Sequence, residues 1–480
     1  MVFSGIPFLY YFLPCVLLAY FVVPKAYRNF VLMLFSLLFY AWGEPVYVFL
    51  MLFSILFGYV TGLLLEKSME KGWKVFTPGR TLTGSVIVFA GLLVFFKYTD
   101  FVIGNINGLT GSDIPLLKIA LPIGISFYTF QIISYLVDVY RGEVPAQKNI
   151  ISLAAYISMF PQLIAGPIVR YKDVSMQFNE RRTTWEMAEA GITRFIIGLS
   201  KKILIANELG ELCSLFRESQ DKSVLFYWLY AVAFMLHIYF DFSGYSDMAI
   251  GLGKIFGFSF PENFNYPYIA GSITDFWRRW HMTLGSWFRD YVYIPLGGNR
   301  VPKWKWYRNI FVVWMFTGIW HGAAWNFLFW GLYFAILLVI EKHGLLKCLE
   351  KSEWFKYIYV LFFVMISFVI FNAPDMGTAF EDIGRLFGAG ELPFASTEAL
   401  YYLKSYGITM LVGIIGCMPV LPWITDKSGK MMTQETMPKK AAGLRILLGI
   451  AKPVVLIFLV VLSTAYLVDG SFNPFLYFRF

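Results

Sequence analysis

The chain carries only four histidines, and two of them stand in polar islands of otherwise apolar sequence, where a proton-transfer group would be conspicuous. His321 lies in RNIFVVWMFTGIWHGAAWNFLFWGLYFAILLVIEK. The flanks KWKWYR and EKHGLLK are both basic, so the stretch is expected to rise into a membrane and return to the cytoplasmic side, with its tip at Trp320, His321 and Gly322. About 12 residues separate Arg308 from His321, a helical climb of roughly 18 Å, which places the ring near the middle of a bilayer. A lone histidine among apolar residues is more often a packing residue. At this depth, however, an ionisable group costs a few kcal/mol if charged and usually faces a polar cavity or pathway. A dry site also favours the neutral imidazole, the form a general base needs.

The second island, SITDFWRRWHMTLGSWFRDYVYIPLGGNR, has His281 at its centre. The spacing of Phe276, Trp280, Leu284, Trp287 and Tyr291 predicts one aromatic helical face, followed by an extended stretch and turn at YIPLGGN. An interfacial helix anchored by Trp and Arg would explain the face but not His281. A third island, HIYFDFSGYSDMAIG, sets His237, Asp241, Ser243, Tyr245, Ser246 and Asp247 inside an apolar helix. Those side chains could orient a catalytic histidine, line a proton path or bond neighbouring helices. The chain has no HExxH, no GxxxxGK[ST] and no GxSxG, so metal, nucleotide and serine-hydrolase chemistries find no support in it, and no metal ligand is proposed.

These residues need a scaffold, and the composition says which kind. Apolar residues make up 58% and charged ones 15%, against about 25% charged in an ordinary soluble domain, so an all-α polytopic membrane protein is expected. Candidate helices lie near 7–24, 29–42, 45–65, 82–98, 119–139, 151–169, 188–208, 224–250, 309–341, 356–373, 401–424 and 447–468. The net charge of +9 sits mostly in short loops, as membrane orientation requires, so nucleic acid is rejected as a partner. Cys15, Cys213, Cys348 and Cys417 are too scattered for a disulfide framework. Basic residues after the first and third helices and before the last put the N-terminus outside, together with the acidic loop around Asp375–Glu391 and the tail SFNPFLYFRF.

WRRWHMTLGSWFRDYVYIPLGGNR followed by GIWHGAAWNFLFWG, with DFSGYSDMAIG upstream, resembles the membrane-bound O-acyltransferase family, in its bacterial alginate O-acetyltransferase branch. The teichoic-acid D-alanyl transferase is a more distant likeness. The resemblance implies a ring of about 11–12 transmembrane and re-entrant helices around a central channel, in residues 1–470, with 471–480 as an outer aromatic tail. It also implies a bacterial cell membrane location, His321 as the central catalytic histidine and His281 as the second. The implied donor is acetyl-CoA or another acyl thioester reaching His321 from the cytoplasm, and the implied acceptor a secreted polysaccharide. An extracytoplasmic SGNH-hydrolase-like partner is expected on the same grounds.

On that footing neutral His321 would take the proton of an attacking hydroxyl, while His281, Asn326 or backbone N–H groups stabilise the oxyanion. Asp241, Asp247 and Trp280 are supporting candidates. The tail resembles the C-terminal motif of the small tyrosine-bearing partner in the D-alanylation system, so Tyr477 is a candidate acyl relay. An aryl ester is a good donor because phenolate leaves more readily than a sugar alkoxide. The alternatives are D-alanyl or other acyl transfer to a cell-wall polymer, a proton-coupled transporter, or a non-catalytic membrane platform.

Overall fold

The computed structural model describes residues 3–420, 423, 438–469 and 475. No strand occurs among them. The early helices are α1 (Leu13–Val22), α2 (Arg28–Gly43), α3 (Val48–Lys71), α4 (Pro78–Thr110), α5 (Ile125–Tyr140) and α6 (Ile150–Ser158). Next come α7 (Trp185–Ser200), α8 (Glu208–Glu218), α9 (Val224–Ile255), α10 (Ile273–Arg279), α11 (Met282–Phe288), α12 (Lys303–His321) and α13 (Trp325–Ile340). The last four are α14 (Phe355–Asn372), α15 (Met376–Leu386), α16 (Thr397–Gly416) and α17 (Pro438–Val468). Among the described residues six helices are long and apolar enough to cross a membrane: α3, α4, α9, α14, α16 and the Gly449–Val468 part of α17.

The boundaries differ from expectation where side chains override local pattern. α4 continues to Thr110 instead of stopping near 98, with the Thr77 hydroxyl capping its start and Pro78 in the first turn, where a missing N–H costs nothing. The single helix expected over 151–169 breaks at Met159. Pro161 has no N–H to continue the ladder, Phe160 N turns to Ser36 Oγ at 3.1 Å, and the Gln162 amide takes up Tyr156 O at 2.9 Å. The acidic segment expected to be a loop forms α15, whose first turn is capped by the Asp375 carboxylate accepting from Thr378 N at 2.9 Å. YIPLGGN is not extended. Arg289–Tyr293 is a π-helical turn, and Asn309 holds the following loop through Leu296 O and Gly298 O.

The hub is α9, buried over most of its length between α7, α16 and α14. It meets α7 backbone to backbone. A Cβ on Gly198 would lie 2.5 Å from Gly244 O, and one on Gly191 would lie 2.6 Å from Gly251 O. Two glycines seven residues apart on each helix thus permit a contact that any larger side chain would prevent, the usual device of membrane helices that cannot rely on water exclusion. Two large apolar clusters flank this axis. A small third one, of Phe127, Phe130, Leu284, Trp287, Phe288 and Trp320, ties α5, α11 and the end of α12 together, with Phe130 and Trp287 stacked 3.8 Å apart.

Candidate active site

His321 is the last residue of α12. The chain then breaks through an extended Gly322 and resumes at Trp325, so the turn expected at 320–322 is observed. The two arms close tightly because a Cβ on Gly318 would lie 2.3 Å from Phe327 O and one on Gly331 would lie 2.4 Å from Trp314 O. A helix end inside a bilayer leaves carbonyls with no water to bind. Here α4 supplies the donors. Lys97 Nζ donates to Trp320 O at 2.5 Å and to His321 O at 3.0 Å, the Tyr98 hydroxyl donates to Ile319 O, and Asn105 Oδ1 accepts from Trp325 Nε1 beyond the break. The His321 ring, 6% exposed, meets Trp320, Trp330 and Phe371 edge-on at 5.0, 5.1 and 5.3 Å.

His281 is placed differently. The aromatic spacing around it predicts one helix, but the structure has two, α10 and α11, broken at Trp280–His281. His281 adopts φ 45° and ψ 52°, a left-handed conformation that costs a non-glycine residue roughly 1–2 kcal/mol. Asn263, on the segment after α9, holds it there: Met282 N donates to Asn263 O at 2.9 Å, and His281 Nδ1 lies 3.0 Å from Asn263 Oδ1. The imidazole, 2% exposed, packs across Phe242 at 4.7 Å. The Trp320 ring is near both histidines, 6.1 Å from the His281 ring and 5.0 Å from that of His321. Its indole N–H is buried without a partner among the described residues.

Each histidine lines its own cavity. His281 closes a space of about 640 Å³ walled by Trp277, Trp314 and Thr317, with the exposed Arg278 and Arg289 beside it. Thr274, also in its wall, bonds Glu341 at the end of α13, so this cavity lies toward the side where α12 begins and α13 finishes. His321, Trp320 and Lys97 line a smaller space of about 60 Å³ against Pro122 and Gly124, at the start of α5. Beside the larger cavity Asp290 receives Arg289 at 2.7 Å and Arg170 at 2.6 Å. Partial burial works to raise its carboxyl, but the two guanidiniums prevail and hold it below the usual carboxylate range.

The supporting candidates go elsewhere. Asp241 pairs with Lys202 at 2.5 Å, and Asp247 with Lys201 at 2.7 Å and Arg194 at 2.8 Å, so both carboxylates bind the α7 side of the bundle. Trp280 is a buried wall residue between Phe264, Phe276 and Phe368. The Asn326 amide donates to Ile370 O, Phe371 O and Ala373 O at 2.9–3.4 Å, closing the end of α14, which leaves it poorly placed as an oxyanion donor. His237 Nδ1 reaches Ala206 O at 2.7 Å. Tyr477 lies outside the described residues. Phe475, the described residue of that tail, is buried edge-on against Tyr245 at 4.7 Å and beneath Lys202 Nζ at 4.5 Å. Lys97 and Asn263 escaped the sequence reading. A lysine within GLLVFFKYTDFVIG was a usable signal for the first, whereas nothing local marks the second.

The profile of the membrane-bound O-acyltransferase family matches residues 143–374. The chain is 37% identical to a probable alginate O-acetylase of Azotobacter vinelandii, over the whole of both proteins. It is 33% identical to a peptidoglycan O-acetyltransferase of Helicobacter pylori, over 85% of this chain and 84% of that one. A teichoic acid D-alanyltransferase of Bacillus subtilis is more distant, 32% identical over 52% of this chain and 68% of its own length.

If Lys97 is what permits the break, Lys97→Met strands two carbonyls at a cost of about 1–3 kcal/mol each. The purified variant should then show a lower thermal unfolding midpoint than wild type, with Lys97→Arg falling between them. An unchanged midpoint in the methionine variant would show that the break holds without the ammonium.

Proposed function

The chain belongs to the membrane-bound O-acyltransferase family, and from that premise we propose that it carries an acetyl group from a thioester donor across the membrane toward polysaccharide outside the cell. The observation that carries the reading is the pair of cavities, each lined by its own histidine, with the Trp320 ring near both imidazoles. The larger cavity lies toward the basic ends of α12 and α13, with Lys303, Lys305 and Lys342, which by the charge rule is the cytoplasmic side. Arg278 and Arg289 beside it suit an anionic donor such as acetyl-CoA. The smaller cavity opens among residues at the start of α5, toward the opposite side.

In this reading the thioester carbonyl comes to rest by Trp320. His321 takes the proton of the attacking hydroxyl as its oxygen bonds to the carbonyl carbon. The thiolate then leaves and receives that proton. A positioned base contributes roughly 10²–10⁴ in rate, and proximity and oxyanion stabilisation the remainder. The acceptor of this first transfer is Tyr477, whose aryl ester passes the acetyl on to an extracytoplasmic partner of the SGNH-hydrolase kind. Burial of Phe475 against Tyr245, two residues before Tyr477, supports a tail that turns back into the protein.

Ester-linked acetate on the surface polysaccharide, measured in cells with equal membrane levels of each variant, tests both steps. His321→Ala should lower it by about 10² or more, and unchanged acetate would return His321 to packing. Tyr477→Phe should also lose acetylation, and full retention would sink the relay while leaving the transfer at His321 standing.

A further inference from the structure

The hydrogen bonds around Asn263 fix which nitrogen of His281 carries its proton. Ile168 N donates to Thr283 Oγ1 at 3.0 Å, so the Thr283 hydroxyl directs its own hydrogen onward, to Asn263 Oδ1 at 2.8 Å. Thr283 N also points at Oδ1, at 3.4 Å, while Asn263 Nδ2 donates to Ser246 Oγ at 3.0 Å. An atom that receives a backbone N–H and a hydroxyl is the carbonyl oxygen, and a carbonyl oxygen only accepts. The remaining bond, His281 Nδ1 to Asn263 Oδ1 at 3.0 Å, must therefore be donated by Nδ1–H. In the neutral ring the lone pair is then on Nε2. Nε2 is buried and has no hydrogen-bond partner among the described residues, and His281 lines the larger cavity.

We propose that Asn263 is a positioning residue of the reaction, holding His281 in its left-handed backbone conformation and in the Nδ1–H tautomer so that the lone pair is kept on Nε2, in a residue that borders the donor cavity. In that state His281 accepts a proton or hydrogen bond there and is not the oxyanion donor. The indole N–H of Trp320, buried near both histidines and without a partner among the described residues, is better suited to that task. Asn263 itself is fully buried and does not line the cavity, so its influence passes through His281.

With only four histidines in the chain, ¹⁵N-histidine labelling of the full-length protein in lipid bilayers resolves each ring by magic-angle-spinning NMR. His281 is assigned by difference against His281→Gln. The wild-type spectrum should show His281 protonated at Nδ1, and Asn263→Asp, which keeps an acceptor oxygen, should preserve that signature. Asn263→Leu should move the proton to Nε2 or split the population. Surface ester-linked acetate should fall at least about tenfold in the leucine variant and be largely restored by aspartate. A wild-type proton on Nε2, or a leucine variant that keeps Nδ1–H, overturns the proposal. The activity arm rests on the acyl-transfer reading and the spectroscopic arm does not. The expected tautomers together with acetate insensitive to His321→Ala would therefore fault that reading and not the role of Asn263.

Discussion

The absence of water at the middle of the bilayer governs this structure. Every helix break there exposes backbone groups that only the protein can satisfy, so a break survives where donors have been delivered to it. At the end of α12 the donors come from one helix, α4, through Tyr98 and Lys97 on the carbonyls of residues 319–321, and beyond the gap Asn105 of the same helix accepts from the Trp325 indole. The break ends α12 at His321 and turns the chain back along α13. The same logic applies to His281, where Asn263 takes the role that water plays in a soluble loop.

From these two breaks follows a thin partition. Two helix breaks bring a histidine each within 5.0–6.1 Å of the Trp320 ring, and the glycine contacts of α12 with α13 and of α7 with α9 hold the surrounding helices close together. The ionised residues that might have crowded the centre are neutralised away from it. Asp241 is spent on Lys202, Asp247 on Lys201 and Arg194, and Asp290 on two arginines beside the larger cavity. What remains near Trp320 is two imidazoles, an indole N–H and the Lys97 ammonium, a set suited to moving a proton and stabilising a developing oxyanion.

Much of this was legible in the sequence, for physical reasons. Basic flanks on both sides of an apolar stretch placed His321 at a turning point, because charge is costly to leave in lipid, and the chain turns there. His281 was visible as an ionisable residue in an aromatic setting, but its surroundings misled. WRRWHMTL has helical aromatic spacing, and the left-handed break within it comes from Asn263, 18 residues upstream, a tertiary contact with no local trace. Lys97 fell at the edge of the helix expected to end near 98 and drew no notice, whereas the helix continues to Thr110 and carries it to the end of α12. The partners of Asp241 and Asp247 depended on how α7 packs on α9, which periodicity alone does not specify.

The central claim is that the two cavities open to opposite sides of the membrane and meet at Trp320, and sided thiol labelling tests it most directly. With the four native cysteines replaced, Ser286→Cys marks the larger cavity and Ile123→Cys the smaller one. A membrane-impermeant maleimide should label the cysteine at 123 in intact cells and the one at 286 only in inverted vesicles. Labelling of both from the same side would contradict a path that crosses the membrane between the histidines.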